Sequence, residues 1–369
     1  PRPRPPHLGP MTLTDPPVDP PHRDAAHGRR RLGAWMGALL VSVAVTSACE
    51  TPVDSGAVEN RPIPCTEGTP LCVERVQIAS GGFLPVHSTH SLTDGDPDVT
   101  RLIVVVHGTG RNGHDYFERA VAAAIAEGLE DETLVVAPTF QTVDDEPRSD
   151  EPYWTSGGWK RGHLSSSDAS APRVSSYSAI DRILTDVMNP TRFPALAAIV
   201  VTGHSAGGQV AHRFAATSRV ENGASGIDFR YVVANPSTFL YLGPERDAAN
   251  GFGLPDVGSC PDYNEWHYGL EELNSYATAV SVDSIRAQLV RRDVRILLGD
   301  ADSLAASLDV TCGANLQGRY RFERGRTLVR YMEGLFPGHG HEEMIVPGVG
   351  HSSSRMYLSA VGRMALFGG

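Results

Sequence analysis

The stretch with the strongest chemical signal is Gly203-His204-Ser205-Ala206-Gly207-Gly208. It follows the apolar run Leu196 to Thr202 and leads at once into a helical pattern, so a G-x-S-x-G sequence stands between a strand and a helix. A turn this sharp strains the serine backbone and is tolerable only if the neighbours at −2 and +2 lack a Cβ. It lifts the hydroxyl above a sheet edge, while the start of the helix offers N–H groups to a developing oxyanion. In a chain with 38 glycines the bare pattern is weak, and the strand before and helix after give it weight. Ser205 is therefore read as a nucleophile for acyl transfer, with a structural turn serine as the alternative.

Such a serine needs a base and a group that orients the base. Pro347-Gly348-Val349-Gly350-His351-Ser352 is a glycine-rich loop after the short apolar run Met344 to Val346, and it presents His351 just before a helical pattern. His339 and His341 are rivals, but they precede that run and fall on the wrong side for the loop. Arg295 to Leu298 leads into Gly299-Asp300-Ala301-Asp302, a strand end with two carboxylates, either of which could orient the imidazole. The run Leu102 to His107 ends in Gly108-Thr109-Gly110-Arg111-Asn112, where a second oxyanion donor belongs; the backbone N–H of Thr109 is expected to act with that of Ala206. Losing one such donor typically costs about 10²–10³ in rate. His107 precedes the donor position and is read as bracing the loop. The order serine, acid, histidine along the chain is more specific than any single motif. His339-x-His341-Glu342 lacks the spacing of metal ligands such as H-E-x-x-H, so no metal is expected, and no cofactor motif is present.

Elements able to hold these groups follow a βαβ rhythm from about Val73 onward. Leu102 to His107, Leu134 to Ala137, Leu196 to Thr202, Tyr231 to Ala234, Arg295 to Leu298 and Met344 to Val346 read as strands buried on both faces. Helical patterns lie near Tyr116 to Leu129, Ser175 to Met188, Ala206 to Ser218, Val282 to Arg292, Gly318 to Met332 and Arg355 to Leu366. The expected class is α/β: a mostly parallel central sheet flanked by helices, with two insertions. The insertions, 141–172 and 236–276, are too long for plain connections. They hold Trp154, Trp159 and Trp266, and are read as ordered lids whose tryptophans bind substrate in a shielded apolar pocket, with satellite packing as an equal alternative. Lys160 and Arg161 are read as solvated cations, with contact to an acidic substrate group as the alternative.

Residues 1–48 read as a processing segment. Pro1 to Pro10 precede the first methionine, Met11, and read as over-called translation; Arg29-Arg30-Arg31, the apolar run Leu32 to Val45 and Thr46-Ser47-Ala48 then have the layout of a signal peptide. That apolar run would span about 21 Å as a helix, short of a ~30 Å hydrocarbon core. Cys49 stands where a lipidated cysteine would, giving an exported protein anchored to a bacterial membrane; ordinary cleavage, leaving a secreted or periplasmic protein, is the alternative. Residues 49–70 read as a Pro/Gly-rich tether and 71–369 as the folded domain. Removing Cys49 leaves Cys65, Cys72, Cys260 and Cys312, which allow three pairings. Proximity favours Cys65 with Cys72, leaving Cys260 with Cys312, a loop closure worth roughly 4 kcal/mol in a chain-entropy model; free buried thiols are the alternative. The formal charge of −11 argues against a nucleic-acid partner, which needs a basic face.

From Leu102 onward the chain resembles the α/β-hydrolase fold superfamily, in particular a largely uncharacterised group of secreted and fungal serine hydrolases of esterase type. The resemblance rests on Val105-Val-His-Gly-Thr-Gly-Arg-Asn112, Gly157-Gly-Trp-Lys160, Gly203-His-Ser-Ala-Gly-Gly-Gln209, Ala234-Asn-Pro-Ser237 and Cys312-Gly-Ala-Asn-Leu-Gln-Gly-Arg319. It implies the fold, a Ser205–His351–Asp302 triad and the oxyanion loop. Asp302 is preferred to Asp300 because hydrolases of this fold commonly read G-x-x-D at that strand end; Asp300 becomes a turn cap. Cys260-Pro-Asp-Tyr-Asn-Glu-Trp266 resembles the group's lid, which a bond to Cys312 would tie to the loop after Asp302. The implied activity is cleavage of a small or polymeric carboxylic ester through an acyl-enzyme. The alternatives are an amidase or peptidase with the same triad, or a non-catalytic surface binding protein on the same scaffold.

Overall fold

The computed structural model describes residues 63–368. The expected signal segment, the lipidated Cys49 and most of the expected tether lie outside the described residues. In chain order the named elements are β1 (Val73–Ala79), β2 (Gly82–Ser88), β3 (Arg101–Val106), α1 (Gly113–Glu127), β4 (Thr133–Pro138), α2 (Ser176–Val187), β5 (Ala198–His204), α3 (Ala206–Thr217), β6 (Asp228–Ala234), β7 (Arg246–Ala248), β8 (Gly251–Gly253), α4 (Val282–Arg291), β9 (Asp293–Gly299), α5 (Cys312–Asn315), α6 (Arg321–Leu335), β10 (His341–Val346), α7 (Ser353–Leu358) and α8 (Ala360–Phe367).

Eight strands form one sheet in the order β1-β2-β4-β3-β5-β6-β9-β10. β1, β2 and β4 pair antiparallel and every later pairing is parallel. The central runs Leu102–Val106 of β3 and Leu134–Ala137 of β4 are apolar and buried because both faces are covered. By contrast, β6 and β9 carry Arg230 and Arg295, and the edge strand β10 exposes Glu342. Leu102, Val104 and Val106 of β3 enter the core that includes α2 and α3, while Ile103 and Val105 enter the one that includes α1, α7 and α8. The chain leaves β3 toward β4 on one side and returns as β5 on the other. The loops after β3 and β5 therefore open a crevice at the carboxyl ends of the strands.

The β1–β2 hairpin was not singled out from sequence. Its edge strand is half exposed, and β2 contains Pro85, which weakens the usual alternation. The closing helical pattern is two helices, broken at Ser359, whose hydroxyl caps α8 by accepting from the Gly362 N–H. His341 is the first residue of β10 rather than a residue before it, at the strand end away from the crevice, with its Nε2 3.0 Å from the Leu289 carbonyl. Both disulfides form, Cys65–Cys72 and Cys260–Cys312. Cys65 also donates its N–H to the Thr89 carbonyl at 2.7 Å, so the last residues of the expected tether are already fastened to the sheet.

The candidate active site

Ser205 stands between β5 and α3 with φ 60° and ψ −116°, in the positive-φ region that side chains avoid. The glycines around it are required by contact distances. A Cβ on Gly207 would lie 2.0 Å from the Val106 carbonyl oxygen, and one on Gly203 would lie 2.3 Å from the Gly207 carbonyl carbon. The strained turn is held by the Ser205 N–H donating to Ala234 O at 2.9 Å.

The loop after β10 brings His351 over this turn, with Nε2 3.0 Å from Ser205 Oγ. On its other side Nδ1 lies 2.7 Å from Asp302 Oδ2. Since a carboxylate only accepts, Nδ1 carries the proton and Nε2 is left as an acceptor facing the hydroxyl. Asp300 points elsewhere and accepts the Gly348 N–H at 2.6 Å, which braces the histidine loop. The close approach of β9 to that loop requires Gly299, whose Cβ would meet the Val349 carbonyl oxygen at 2.2 Å.

Several supporting groups were not legible in the sequence. Asp302 is fully buried, and Arg321, equally buried at the start of α6, places Nη1 3.6 Å from its Oδ1 while also donating to the Leu304 and Ala306 carbonyls. A cation at a helix N-terminus runs against the helix dipole, so no pattern rule would have nominated Arg321. Asn235 accepts from the Gly299 N–H at 2.9 Å and reaches the Gly350 carbonyl, joining the acid strand to the histidine loop. His204 packs against His351 with ring centroids 4.4 Å apart and the planes tilted by 37°. Burial, and then the nearby His351 and Arg321, keep His204 neutral.

Gly108, Thr109, Ser205 and His351 line a cavity of about 410 Å³ whose other walls include Asn112, Arg119 and Ser352 to Ser354. Tyr116 lines it as well, against the floor at Gly108, where a Cβ would lie 2.5 Å from the tyrosine oxygen. His107 lies behind the Thr109 loop. Its Nδ1 donates to Gly108 O and its Nε2 accepts from the Phe140 N–H, and burial lowers its pKa to about 4.

The expectation of an apolar pocket roofed by tryptophans is corrected. Polar and apolar surface contribute about equally to the wall around Ser205, and no residue of 141–172 or 236–276 lines it. Trp154 and Trp159 are fully buried in the core. Trp159 stacks on Phe140, and Trp154 donates its indole N–H to His163 O. Trp266, half-buried, donates to the Arg161 carbonyl, joining the two insertions. These rings are held by packing and by backbone acceptors, and none of them lines the cavity at Ser205. The insertions wall a neighbouring cavity, also about 410 Å³, which meets the first at Thr109 and Ser307.

Another cavity, of about 570 Å³, lies along β2 and holds Thr89 with its Oγ1 2.8 Å from His90 Nδ1. That hydroxyl donates to Thr133 O and accepts the Val135 N–H, so it is engaged in the sheet edge rather than offered to a ligand.

No protein-family model matches the chain, and no curated protein matches it. Among solved structures it is similar to LpqC, a poly(3-hydroxybutyrate) depolymerase from Bordetella parapertussis, at 21% identity over 80% of this chain and 90% of that one, with a TM-score of 0.57. It is also similar to poly(aspartic acid) hydrolase-1 from Sphingomonas sp. KT-1, at 24% identity over 78% of this chain and 96% of that one, with a TM-score of 0.54. The chain has the α/β-hydrolase fold. In this fold the strained serine follows the fifth strand, the buried aspartate the ninth and the histidine the tenth.

Proposed function

We propose that the protein is a serine hydrolase that cleaves carboxylic esters through an acyl-enzyme, with Ser205 as nucleophile, His351 as general base and acid, and Asp302 as the orienting carboxylate. The observation that carries this reading is the continuous chain from Asp302 Oδ2 through both imidazole nitrogens to Ser205 Oγ, at 2.7 and 3.0 Å, opening into a cavity. His351 Nε2 takes the hydroxyl proton as Oγ attacks the acyl carbon, and Asp302 stabilises the imidazolium. The backbone N–H groups of Thr109 and Ala206 receive the oxyanion; Ala206 is the first residue of α3, where N–H groups lack helical acceptors. His351 then returns its proton to the leaving alkoxide, which departs as the alcohol. Water, deprotonated by the same nitrogen, attacks the acyl-enzyme and releases the acid and free Ser205. One structural neighbour is named for a polyester, poly(3-hydroxybutyrate), which is compatible with an ester substrate. Another is named for poly(aspartic acid), whose linkages are amides and which is compatible with the amidase alternative. The two disulfides support an exported protein, because such bonds persist in oxidising compartments. Lipid anchoring through Cys49 belongs to the same reading.

Replacing Ser205 with Ala is expected to abolish turnover of p-nitrophenyl butyrate and labelling by a fluorophosphonate probe, with the thermal melt retained. Wild-type turnover by that variant would end the assignment. Faster cleavage of the matched anilide than of the ester would move it to the amidases.

A further inference from the structure

The cavity that shares Thr109 and Ser307 with the serine pocket is walled by both insertions and carries two cationic side chains. Lys160 and Arg161 line it, half-buried, and neither has a carboxylate within ion-pair distance among the described residues. Their place on this wall favours the alternative reading from the sequence, in which they meet an acidic group of the substrate. Directly behind them Arg213 is completely buried and donates only to neutral acceptors: the His267 carbonyl at 3.1 Å, Gln209 Oε1 at 3.2 Å and Thr238 Oγ1 at 2.7 Å. Burying a guanidinium without a counter-charge is costly, so a fold that keeps one holds a standing positive field at that place.

Neighbouring groups register that field. Burial, and then Arg161 and Arg213, lower the Lys160 pKa; burial, and then Arg213 and Arg161, push the His267 imidazole far down and keep it neutral. Among the described residues Asp309 is the only carboxylate on the wall, and it is already engaged. It accepts from Tyr268 Oη at 2.7 Å and from the Thr311 N–H and hydroxyl at 3.0 and 2.8 Å. Burial opposes its charge, but these bonds hold it below the usual carboxylate range. His267 Nε2, buried and 4.0 Å from Asp309, has no hydrogen-bond partner.

We propose that this cavity is an anion subsite that takes a carboxylate on the acyl portion of the substrate, so that the preferred esters are those of dicarboxylic or carboxylate-ended acids. The proposal rests on the assignment of Ser205 as the nucleophile. Its direction follows from the proton path. The alcohol must leave beside His351, which protonates it, and His351 lines the first cavity only. The acyl chain then extends across the Thr109 loop into the second, where its carboxylate supplies the counter-charge that Lys160 and Arg161 lack.

The test compares half-esters of p-nitrophenol with adipate, pimelate and suberate against neutral isosteres in which an isopropyl group replaces the terminal COO⁻, such as the 6-methylheptanoate for adipate. The wild-type protein is expected to favour the acidic member in kcat/KM by about tenfold or more at one chain length, the scale of a charge pair partly withdrawn from water. Lys160→Met should bring that ratio down by about tenfold, Lys160→Arg should restore most of it, and 0.5 M salt should compress it. Arg182→Met, which removes a surface cation paired with Asp186 on α2, serves as the control and keeps the wild-type ratio. Ratios near one at every length, or a preference untouched by Lys160→Met, overturn the subsite while leaving the hydrolase assignment standing. Failure of both ester series together with absent fluorophosphonate labelling overturns the assignment itself.

Discussion

Replacing Asp302 with Asn isolates the orienting role proposed for the carboxylate. The native carboxylate accepts the Nδ1 proton at 2.7 Å and so leaves Nε2 unprotonated toward Ser205. An amide can instead donate to Nδ1, which moves the imidazole proton to Nε2, where it can no longer receive the serine proton. A loss of about 10⁴ in kcat, or about 5.5 kcal/mol of transition-state stabilisation, is expected for that tautomer switch. The substitution also acts on the fold. It removes the carboxylate that faces Arg321 at 3.6 Å, with both side chains excluded from solvent. Stranding a buried guanidinium costs about 3 kcal/mol, here moderated by the Leu304 and Ala306 carbonyls that remain its acceptors. Arg321→Met alone strands the carboxylate instead, so the double variant should be more stable than the two single effects predict, by about 1–2 kcal/mol. The assays are initial rates on p-nitrophenyl butyrate and urea unfolding of the four proteins. Asp300→Asn is the comparison, expected to lose less than about tenfold because an amide oxygen can still accept the Gly348 N–H. The reasoning fails if Asp302→Asn keeps a tenth of wild-type kcat, if Asp300→Asn is the more damaging, or if the two losses of stability simply add.

Gly207→Ala would drive a methyl group into the Val106 carbonyl, so it should lower the melting temperature and remove fluorophosphonate labelling together; Gly223→Ala, with open space around it, should do neither. Equal melts and labelling for the two variants would refute the contact argument. His107, His204, His212, His267 and His341 are all held neutral chiefly by burial, with pKa about 4 for His107 and His341. The unfolded chain binds these protons below about pH 6.5 and the folded chain does not, so stability is complete above that value and is lost as pH falls toward 4. Each histidine contributes a slope of about 1.4 kcal/mol per pH unit in this window, partly offset by Asp181 and Glu74, whose raised pKa values act in the opposite sense. A melting temperature flat between pH 7 and pH 4.5 would contradict this.

Much of the architecture is written locally. Leu102, Ile103, Val104 and Val105 describe a strand covered on both faces because each side chain must leave water whichever way it points. Gly203 and Gly207 mark the serine turn because backbone atoms stand within 2.3 Å of where their side chains would begin. Ser205, Asp302 and His351 could be nominated because strand ends carry chemistry in a fixed order along such a chain. The tryptophans misled because an aromatic ring carries the same local signature whether it roofs a pocket or fills a core. Trp154 and Trp159 do the latter, at 1% and 0% exposure.

What the sequence determined alone is whatever depends on a residue and its near neighbours: strand periodicity, the glycines of the turn, and an acid and a histidine at successive strand ends. What only the tertiary structure decided is whatever depends on proximity between distant segments. It turned Asp302 toward His351 and Asp300 toward Gly348, set Arg321 behind the acid, and gathered Lys160, Arg161 and Arg213 around one cavity. The reason is electrostatic as well as geometric. Whether a charge is solvated, paired or stranded depends on the atoms packed around it, and in this fold those atoms come from segments more than a hundred residues away.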